Sequence, residues 1–332
     1  MPLRRRNPFG VSRRAGPGGG RALAAGGLLV GGAAVVNHRL RNAGEGTSAG
    51  IGGEERVYRW REGRIAYSVA GEEDAAPLVL VHSPQMGASS FEFRRNMLPL
   101  ARRFRVYAPD FLGYGRSDKP RRRYTPEDFA AQVEDFVREE IGRPAHLLAS
   151  SLSCALTMPA AVRSPRLFGR LVFVCPTGYA ALARPSGKLG QTIEAGLISP
   201  IVGESVYHAL TSRRALRFYL ERALYHDPDL VTPQLVEGYY AASHREGARY
   251  AAAAFVSGRL NQDAGPYFPR LPQRILICWG QEARALPAGL IHDFLLRNPR
   301  AEPRFFREAA LMPHDERPEA FNREVEEFLT RE

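Results

Sequence analysis

The chain has 332 residues, which is enough for one large domain with a buried core and an inserted subdomain. Its 44% hydrophobic and 24% charged residues are ordinary for a globular protein. The net charge of +11 is concentrated in residues 1–50, which carry eight arginines and a single acid, Glu45. The basicity therefore belongs to a tail, and the sequence offers no basic face suited to nucleic acid.

Three cysteines, Cys154, Cys175 and Cys278, lie in or beside apolar runs. An odd number without C-x-x-C spacing predicts neither a disulfide framework nor a zinc site. We interpret them as inert thiols of the core. The sequence contains no metal-binding motif, phosphate-cradling glycine loop or dinucleotide fingerprint, so it predicts no cofactor and no metal.

Residues 1–53 differ from the rest of the chain and hold 14 of its 32 glycines. Within them, residues 22–36 form an uncharged, mostly apolar run between arginine clusters. This run is shorter than the roughly 17–25 residues of a spanning helix, and no clear signal-peptide cleavage site follows it. We expect a membrane anchor or export signal here, which would place the globular part outside the cytoplasm. The alternative is a disordered tail on a cytoplasmic protein.

A linker rich in glycine, serine and threonine, at about residues 44–54, leads to a globular part in which strands and helices alternate. Two antiparallel strands come first, at 57–60 and 64–70. Further strands are predicted at 77–81, 104–108, 145–149, 171–175, 274–278 and 303–307. Helices are predicted at 91–102, 126–140, 152–162, 288–296 and 318–330. This order predicts an α/β fold with a mostly parallel central sheet flanked by helices.

The alternation stops between the sixth and seventh strands. Residues 178–265 contain helical segments but no strong strand signal. We therefore predict an α/β core of residues 54–177 and 266–332, with a helical cap of residues 178–265 inserted after the sixth strand.

Four ordered segments follow the pattern of a known family. They are LVLVH at 78–82, YAPDFLGYGRSD at 107–118, ILICWG at 275–280 and PHDERPEAFN at 313–322. With them, residues 56–331 resemble the α/β-hydrolase superfamily, specifically its capped esterase and carbon–carbon-bond hydrolase branch. The resemblance implies the α/β-hydrolase fold and a serine nucleophile on a sharp strand-to-helix turn.

In that family the nucleophile lies in G-x-S-x-G, and here residues 149–153 read Ala-Ser-Ser-Leu-Ser. The resemblance assigns Ser151 to the nucleophile position, with small residues in place of both glycines. It also assigns Ser83 and Leu152 to the oxyanion region, where backbone N–H groups bind a developing negative charge. His82 matches the histidine that precedes this region.

The other two members of the catalytic triad are missing from their expected positions. The resemblance places the acid at Ala283, four residues after Trp279, and Glu282 beside it is a weak substitute. It places the catalytic histidine at Leu311, whereas His314 matches a second, non-catalytic histidine. A serine hydroxyl needs a base within hydrogen-bond reach, so the triad is predicted to be degenerate.

Three functional hypotheses follow. The first is a hydrolase-like protein without standard catalysis that binds a small, mostly apolar ligand between core and cap. Its pocket would be lined by His82, Met86, Met158 and Leu311. The second is an active hydrolase of ester or carbon–carbon bonds, in which Ser151 uses a relocated base. The candidate bases are His314, His226 and His244. The third is a membrane-tethered module whose arginine- and tyrosine-rich cap binds a protein partner.

Overall fold

A computed structural model of the chain describes residues 32–41, 43–44 and 50–331. The strands are β1 (Glu54–Trp60), β2 (Gly63–Ala70), β3 (Pro77–Val81), β4 (Arg105–Pro109), β5 (Ala145–Ser150), β6 (Phe168–Val174), β7 (Ile275–Gly280) and β8 (Ala301–Phe306). They form one sheet in the order β1-β2-β4-β3-β5-β6-β7-β8. Strand β2 is antiparallel to both of its neighbours, and every other pair is parallel. The predicted mostly parallel sheet is confirmed.

The central strands are apolar because helices cover both faces of the sheet. Every residue of β3 and of β7 is buried. Continuous apolar runs of this kind are typical of parallel strands with two covered faces. At the end of β7 the indole of Trp279 is fully buried, and its N–H donates to the carbonyl of Leu286 at 3.0 Å. The ring therefore stays in the core without an unsatisfied polar group.

Twelve helices are described alongside the sheet in these residues. They are α1 (32–41), α2 (Met97–Leu100), α3 (Pro126–Asp135), α4 (Leu152–Arg163), α5 (Lys188–Ile198), α6 (Val202–Leu210), α7 (Arg213–Tyr219), α8 (Pro233–Ser243), α9 (Ala248–Val256), α10 (Ile291–Leu295), α11 (Pro313–Glu316) and α12 (Pro318–Thr330). Wider helical turns extend α3 through Ile141 and α7 through Leu224.

The predicted helix at 91–102 is the element that differs most from the structure. A 3₁₀ turn at Ser90–Phe93, capped by the Ser89 hydroxyl, is followed by the short helix α2. Two polar side chains of this segment point inward, since Glu92 is 2% exposed and Asn96 is fully buried. Asn96 donates to the carbonyl of His314 at 2.8 Å. A continuous helix over 91–102 is disfavoured because Pro99 has no N–H to donate to the carbonyl four residues before it.

Helices α5 to α9 form the predicted cap between β6 and β7. The cap has its own apolar cluster, which includes Leu216, Leu220, Leu224 and Tyr239. Met312 of the core belongs to the same cluster, so the cap packs directly on the loop between β8 and α11.

Helix α1 packs against the cap helix α6. The Asn37 amide donates to the carbonyl of Ile201 at 2.9 Å and to the Ser205 hydroxyl at 3.0 Å. Arg41 forms an ion pair with Glu204 at 2.9 Å. Of the predicted anchor or signal, residues 32–36 lie in α1, and residues 22–31 lie outside the described part of the chain. No helix of the described ranges has both the length and the hydropathy needed to cross a bilayer.

Candidate active site

Ser151 lies at the tip of a sharp turn between β5 and α4. Its backbone has φ 53° and ψ −120°, a region that is strained for a residue with a side chain. The N–H of Ser151 donates to the carbonyl of Val174, in the adjacent strand β6, at 2.8 Å. This bond holds the turn, and the serine side chain is left half-buried above the sheet.

The residues that replace the two family glycines fit this turn. Ala149 is fully buried, and its carbonyl accepts the Cys154 thiol at 3.1 Å. The Ser153 hydroxyl donates to the carbonyl of His82 at 2.6 Å. Ser153 thereby links the start of α4 to the end of β3. The serine in place of the family glycine therefore adds a hydrogen bond across the turn.

One of the two predicted oxyanion-binding N–H groups is already hydrogen-bonded within the protein. The backbone N–H of Ser83 donates to the Glu92 carboxylate at 3.0 Å, and the next residue, Pro84, has no N–H. The N–H of Leu152 lies in the first turn of α4, where no intrahelical acceptor exists. Of the two predicted donors, Leu152 is therefore available to a ligand, and Ser83 is engaged by a carboxylate.

The His82 ring forms hydrogen bonds with backbone groups of the site. Its ring is fully buried, its Nε2 accepts the N–H of Phe111 at 3.1 Å, and its Nδ1 lies 2.8 Å from the carbonyl of Ser83. Nδ1 therefore carries the proton, and burial lowers the pKa of His82 so that the ring is neutral. Both ring nitrogens are used within the protein, so neither is left for a pocket ligand.

At the position predicted for the triad acid, the structure has the small, buried side chain of Ala283. Its neighbour Glu282 points its carboxylate at the N–H of Ala309, at 3.0 Å. Desolvation acts to raise the pKa of Glu282, but these backbone N–H donors outweigh it and lower that pKa. Glu282 thus holds the loop after β8 and does not orient a histidine.

The position predicted for the catalytic histidine holds Leu311, which is bound to the cap. The N–H of Leu311 donates to the carbonyl of Leu224 at 3.0 Å, and its side chain packs against the cap cluster. The loop also lies against the end of β7, because a Cβ added at Gly280 would overlap the carbonyls of Ala309 and Ala310. At the position predicted for the histidine, this loop therefore carries an aliphatic side chain, which cannot accept a proton.

His314 lies behind the site and faces Glu92. Its ring is fully buried between Phe93 and Phe321, with centroid distances of 5.3 and 5.8 Å. Its Nε2 lies 3.4 Å from Oε1 of Glu92. The histidine is therefore paired with a buried carboxylate, and no hydrogen bond joins it to Ser151.

Glu92 is the residue at this site that sequence reasoning missed. It contacts the Ser83 N–H, the His314 ring and the hydroxyl of Ser150, the residue before Ser151. Burial acts to raise its pKa, but the contact with His314 lowers the pKa of Glu92 below its usual range. The signal was present, since Glu92 is the sole formally charged residue in the otherwise apolar or polar stretch 75–93.

The two cap histidines differ in how their rings are bonded. His226 donates its backbone N–H to Glu316 at 2.6 Å, but its ring Nδ1 is buried without a hydrogen-bond partner. The His244 ring stacks on Tyr240 at 3.9 Å, and its Nδ1 lies 3.0 Å from the carbonyl of the same tyrosine. Neither histidine forms a hydrogen bond with Ser151.

The cap is bonded to the loop after β3. The Tyr219 hydroxyl donates to the side-chain carbonyl of Gln85 at 2.6 Å, and the Tyr239 hydroxyl lies 3.5 Å from the amide of the same glutamine. Gln85 is buried, so the contact is shielded from solvent.

The two predicted pocket methionines belong to different clusters. Met158 is fully buried in the main core, whereas Met86 packs beside Tyr207 and Ala248 at the foot of the cap. A cleft of about 480 Å³ opens next to that smaller cluster, and its walls are mostly charged, with Lys119 and Arg245 among them.

In the described residues, no group of three or more His, Cys, Asp or Glu side chains could hold a metal ion.

The sequence profile of the Alpha/beta hydrolase family matches residues 78–324. The chain belongs to the alpha/beta hydrolase family. An uncharacterized hydrolase of Bacillus subtilis, YugF, is 24% identical over 254 residues, which span 76% of this chain and 89% of the relative.

Two solved alpha/beta hydrolases share the fold. The meta-cleavage product hydrolase CumD of Pseudomonas fluorescens superimposes with a TM-score of 0.68 at 21% identity, covering 82% of this chain and 96% of that enzyme. The carboxylesterase CesB of Bacillus subtilis gives a TM-score of 0.67 at 20% identity, covering 90% and 98%.

Proposed function

We propose that this alpha/beta hydrolase binds a small ester-like or apolar ligand between core and cap without Ser–His–acid catalysis. One observation carries the proposal: the family position of the base is occupied by Leu311, whose N–H is bonded to the cap. The side chains of His82, His314, His244 and Glu282 have partners other than Ser151, and the His226 ring forms no hydrogen bond with Ser151. A serine hydroxyl without a base is a weak nucleophile at neutral pH.

The ligand class rests on the relatives and on the cap surface. A carboxylesterase and a meta-cleavage product hydrolase act on esters and carbon–carbon bonds, and both share this fold. Leu311 and Met312 offer apolar contacts where the core meets the cap, and Tyr219 and Tyr239 offer hydroxyls. A small ligand with one or two polar groups suits this combination.

The test uses a fluorophosphonate probe on the full chain, which labels only activated serines. We expect no labelling above the level of the Ser151→Ala variant, measured beside an active serine hydrolase in the same reaction. Labelling of the unmodified chain that disappears in Ser151→Ala would sink the proposal. Binding is measured separately, as a rise in melting temperature with a panel of short-chain esters that remain intact.

A second candidate is an active serine hydrolase with a relocated base, and the Glu92–His314 pair favours it. A buried carboxylate and an imidazole lie 3.4 Å apart, next to the hydroxyl of Ser150 and one residue from Ser151. Carboxylate–histidine pairs of this kind serve as bases in other hydrolases. Under this alternative, probe labelling is lost in Glu92→Gln as well as in Ser151→Ala, while Glu319→Gln, an exposed control, still labels.

A further inference from the structure

Helix α6 exposes apolar side chains and buries polar ones. Its exposed residues are Val202, Val206, Ala209 and Leu210. Glu204 and His208 are turned into the protein, where they are 6% and 7% exposed. A surface helix of a protein surrounded by water normally has the opposite arrangement, with its apolar stripe toward the core.

Helices α1 and α5 also expose apolar side chains and bury a polar one, although α5 buries Leu197 as well. In α1, Val35 and Val36 are 55% and 54% exposed, whereas Asn37 is 2% exposed. In α5, Leu189 and Ile193 are exposed, whereas Glu194 is buried and forms an ion pair with Arg259. Three reversed helices in one region are more than the scattered surface apolar residues that any protein carries.

The three helices are packed side by side, with α6 in the middle. Asn37 and Arg41 bind α1 to α6. On the other side, a Cβ added at Gly203 of α6 would overlap the carbonyls of Gly196 and Leu197, so α6 is in close contact with the end of α5. We call their outward residues the apolar face. It comprises Val35, Val36, Leu189, Ile193, Val202, Val206 and Leu210.

The exposed charges that the three helices themselves carry have one sign. The acids of the three helices are Glu194 and Glu204, and both are buried in ion pairs with arginines. The exposed ionisable residues of the same helices are His38, Arg39 and Lys188. A surface that joins exposed apolar side chains to basic residues is complementary to an anionic lipid surface.

We propose that the apolar face docks on a lipid bilayer that carries anionic headgroups. The sequence favours a bilayer over a second copy of the chain, because the uncharged, mostly apolar residues 22–31 lead directly into α1. Two copies would also bring their basic residues together. Burial of several valine and leucine side chains at the headgroup boundary provides the binding energy. This inference concerns the cap surface and does not depend on whether Ser151 is catalytic.

The first test is co-sedimentation of the full chain with phosphatidylcholine vesicles, with and without 30% phosphatidylglycerol. We expect stronger binding to the anionic vesicles. The change Val202→Glu with Val206→Glu should weaken that binding by about tenfold or more, since it places two charges in the interface. The control is Leu296→Glu, which changes a side chain that is 83% exposed and lies outside the face. Thermal melts verify that all variants are folded.

The second test reports on the face even if residues 22–31 hold the protein on the vesicle. The three native cysteines are buried, so a cysteine introduced by Val206→Cys can be labelled selectively with an environment-sensitive dye. Vesicles should shift its emission to shorter wavelength, while the same dye on Leu296→Cys stays unchanged.

Two results would overturn the proposal. One is equal vesicle binding by the double glutamate variant and the unmodified chain, with no emission change at position 206. The other is an emission shift at 206 that occurs without lipid and follows protein concentration in sedimentation equilibrium, which would mean that a second copy covers the face.

Discussion

Two apolar side chains, Ala283 and Leu311, hold the positions that the family resemblance predicts for a carboxylate and an imidazole. Trp279 is buried at the end of β7, and the loop of Leu311 lies against Gly280. Under the proposed assignment, two substitutions would supply both missing groups.

Restoring both groups should create esterase activity. In Ala283→Asp with Leu311→His, the new imidazole gains a carboxylate partner and the Leu311 backbone bond to Leu224 is kept. We expect p-nitrophenyl ester hydrolysis at least about tenfold above the same double change on a Ser151→Ala background, since general-base catalysis contributes 10²–10⁴-fold. A folded double variant with no gain would mean that the Ser83–Glu92 bond blocks the oxyanion region.

The degenerate triad remains a prediction, made because each of its proposed positions lies a fixed number of residues from a motif. Ala283 is counted from Trp279, and Leu311 from Pro313. The Glu92–His314 contact could not be predicted in the same way. It joins residues far apart in the chain, and only the packing of the turn at Ser90–Phe93 against α11 brings them to 3.4 Å.

At the scale of the elements, two glycines of adjacent cap helices should respond in opposite directions to alanine. A Cβ at Gly203 meets backbone carbonyls of α5, so Gly203→Ala should push α6 away and cost about 1–3 kcal/mol. A Cβ at Gly196 meets nothing within 4 Å, so Gly196→Ala should stabilise α5 by about 0.5–1 kcal/mol through helix propensity. Urea unfolding measures both, and a gain in stability from Gly203→Ala would contradict the close contact of α5 with α6.

The elements differ in how far the sequence determines them. Strands β3 and β7 were predicted because burial on both faces demands uninterrupted apolar residues. The predicted helix over 91–102 was wrong: a 3₁₀ turn at Ser90–Phe93 and the short helix α2 replace it, since Pro99 cannot donate a helical hydrogen bond. The orientation of helix α6 could not be predicted either, because periodicity identifies an amphipathic helix but not which of its faces turns inward.

For the whole molecule, buried neutral histidines make stability depend on pH. Burial lowers the pKa of His82, His146 and His208, and it lowers the pKa of His244 to about 4. The unfolded chain has histidine pKa values of about 6.5, so it binds more protons than the folded protein below that pH. The stabilisation is therefore complete above about pH 6.5 and is lost as the pH falls toward 4.

Urea unfolding at pH 7.5, 6.5, 5.5 and 5.0 checks this dependence. We expect the free energy of unfolding to fall over this range, with about 2 kcal/mol attributable to His244. In His244→Phe, which keeps the ring stacked on Tyr240 but cannot titrate, the decline should be shallower. The exposed His292→Asn should leave the slope unchanged. An identical slope in His244→Phe would contradict this assignment.

Two hydrogen bonds join the cap to the core, one between Tyr219 and Gln85 and one between Leu311 and Leu224. A molecule approaching Ser151 from the cap side reaches it only after these bonds open. The rate of ligand binding would then be limited by opening of the cap, a conformational step that comes before the ligand meets Ser151. In a stopped-flow experiment, the observed rate would level off as ligand concentration rises, at a ceiling set by how often the cap lifts.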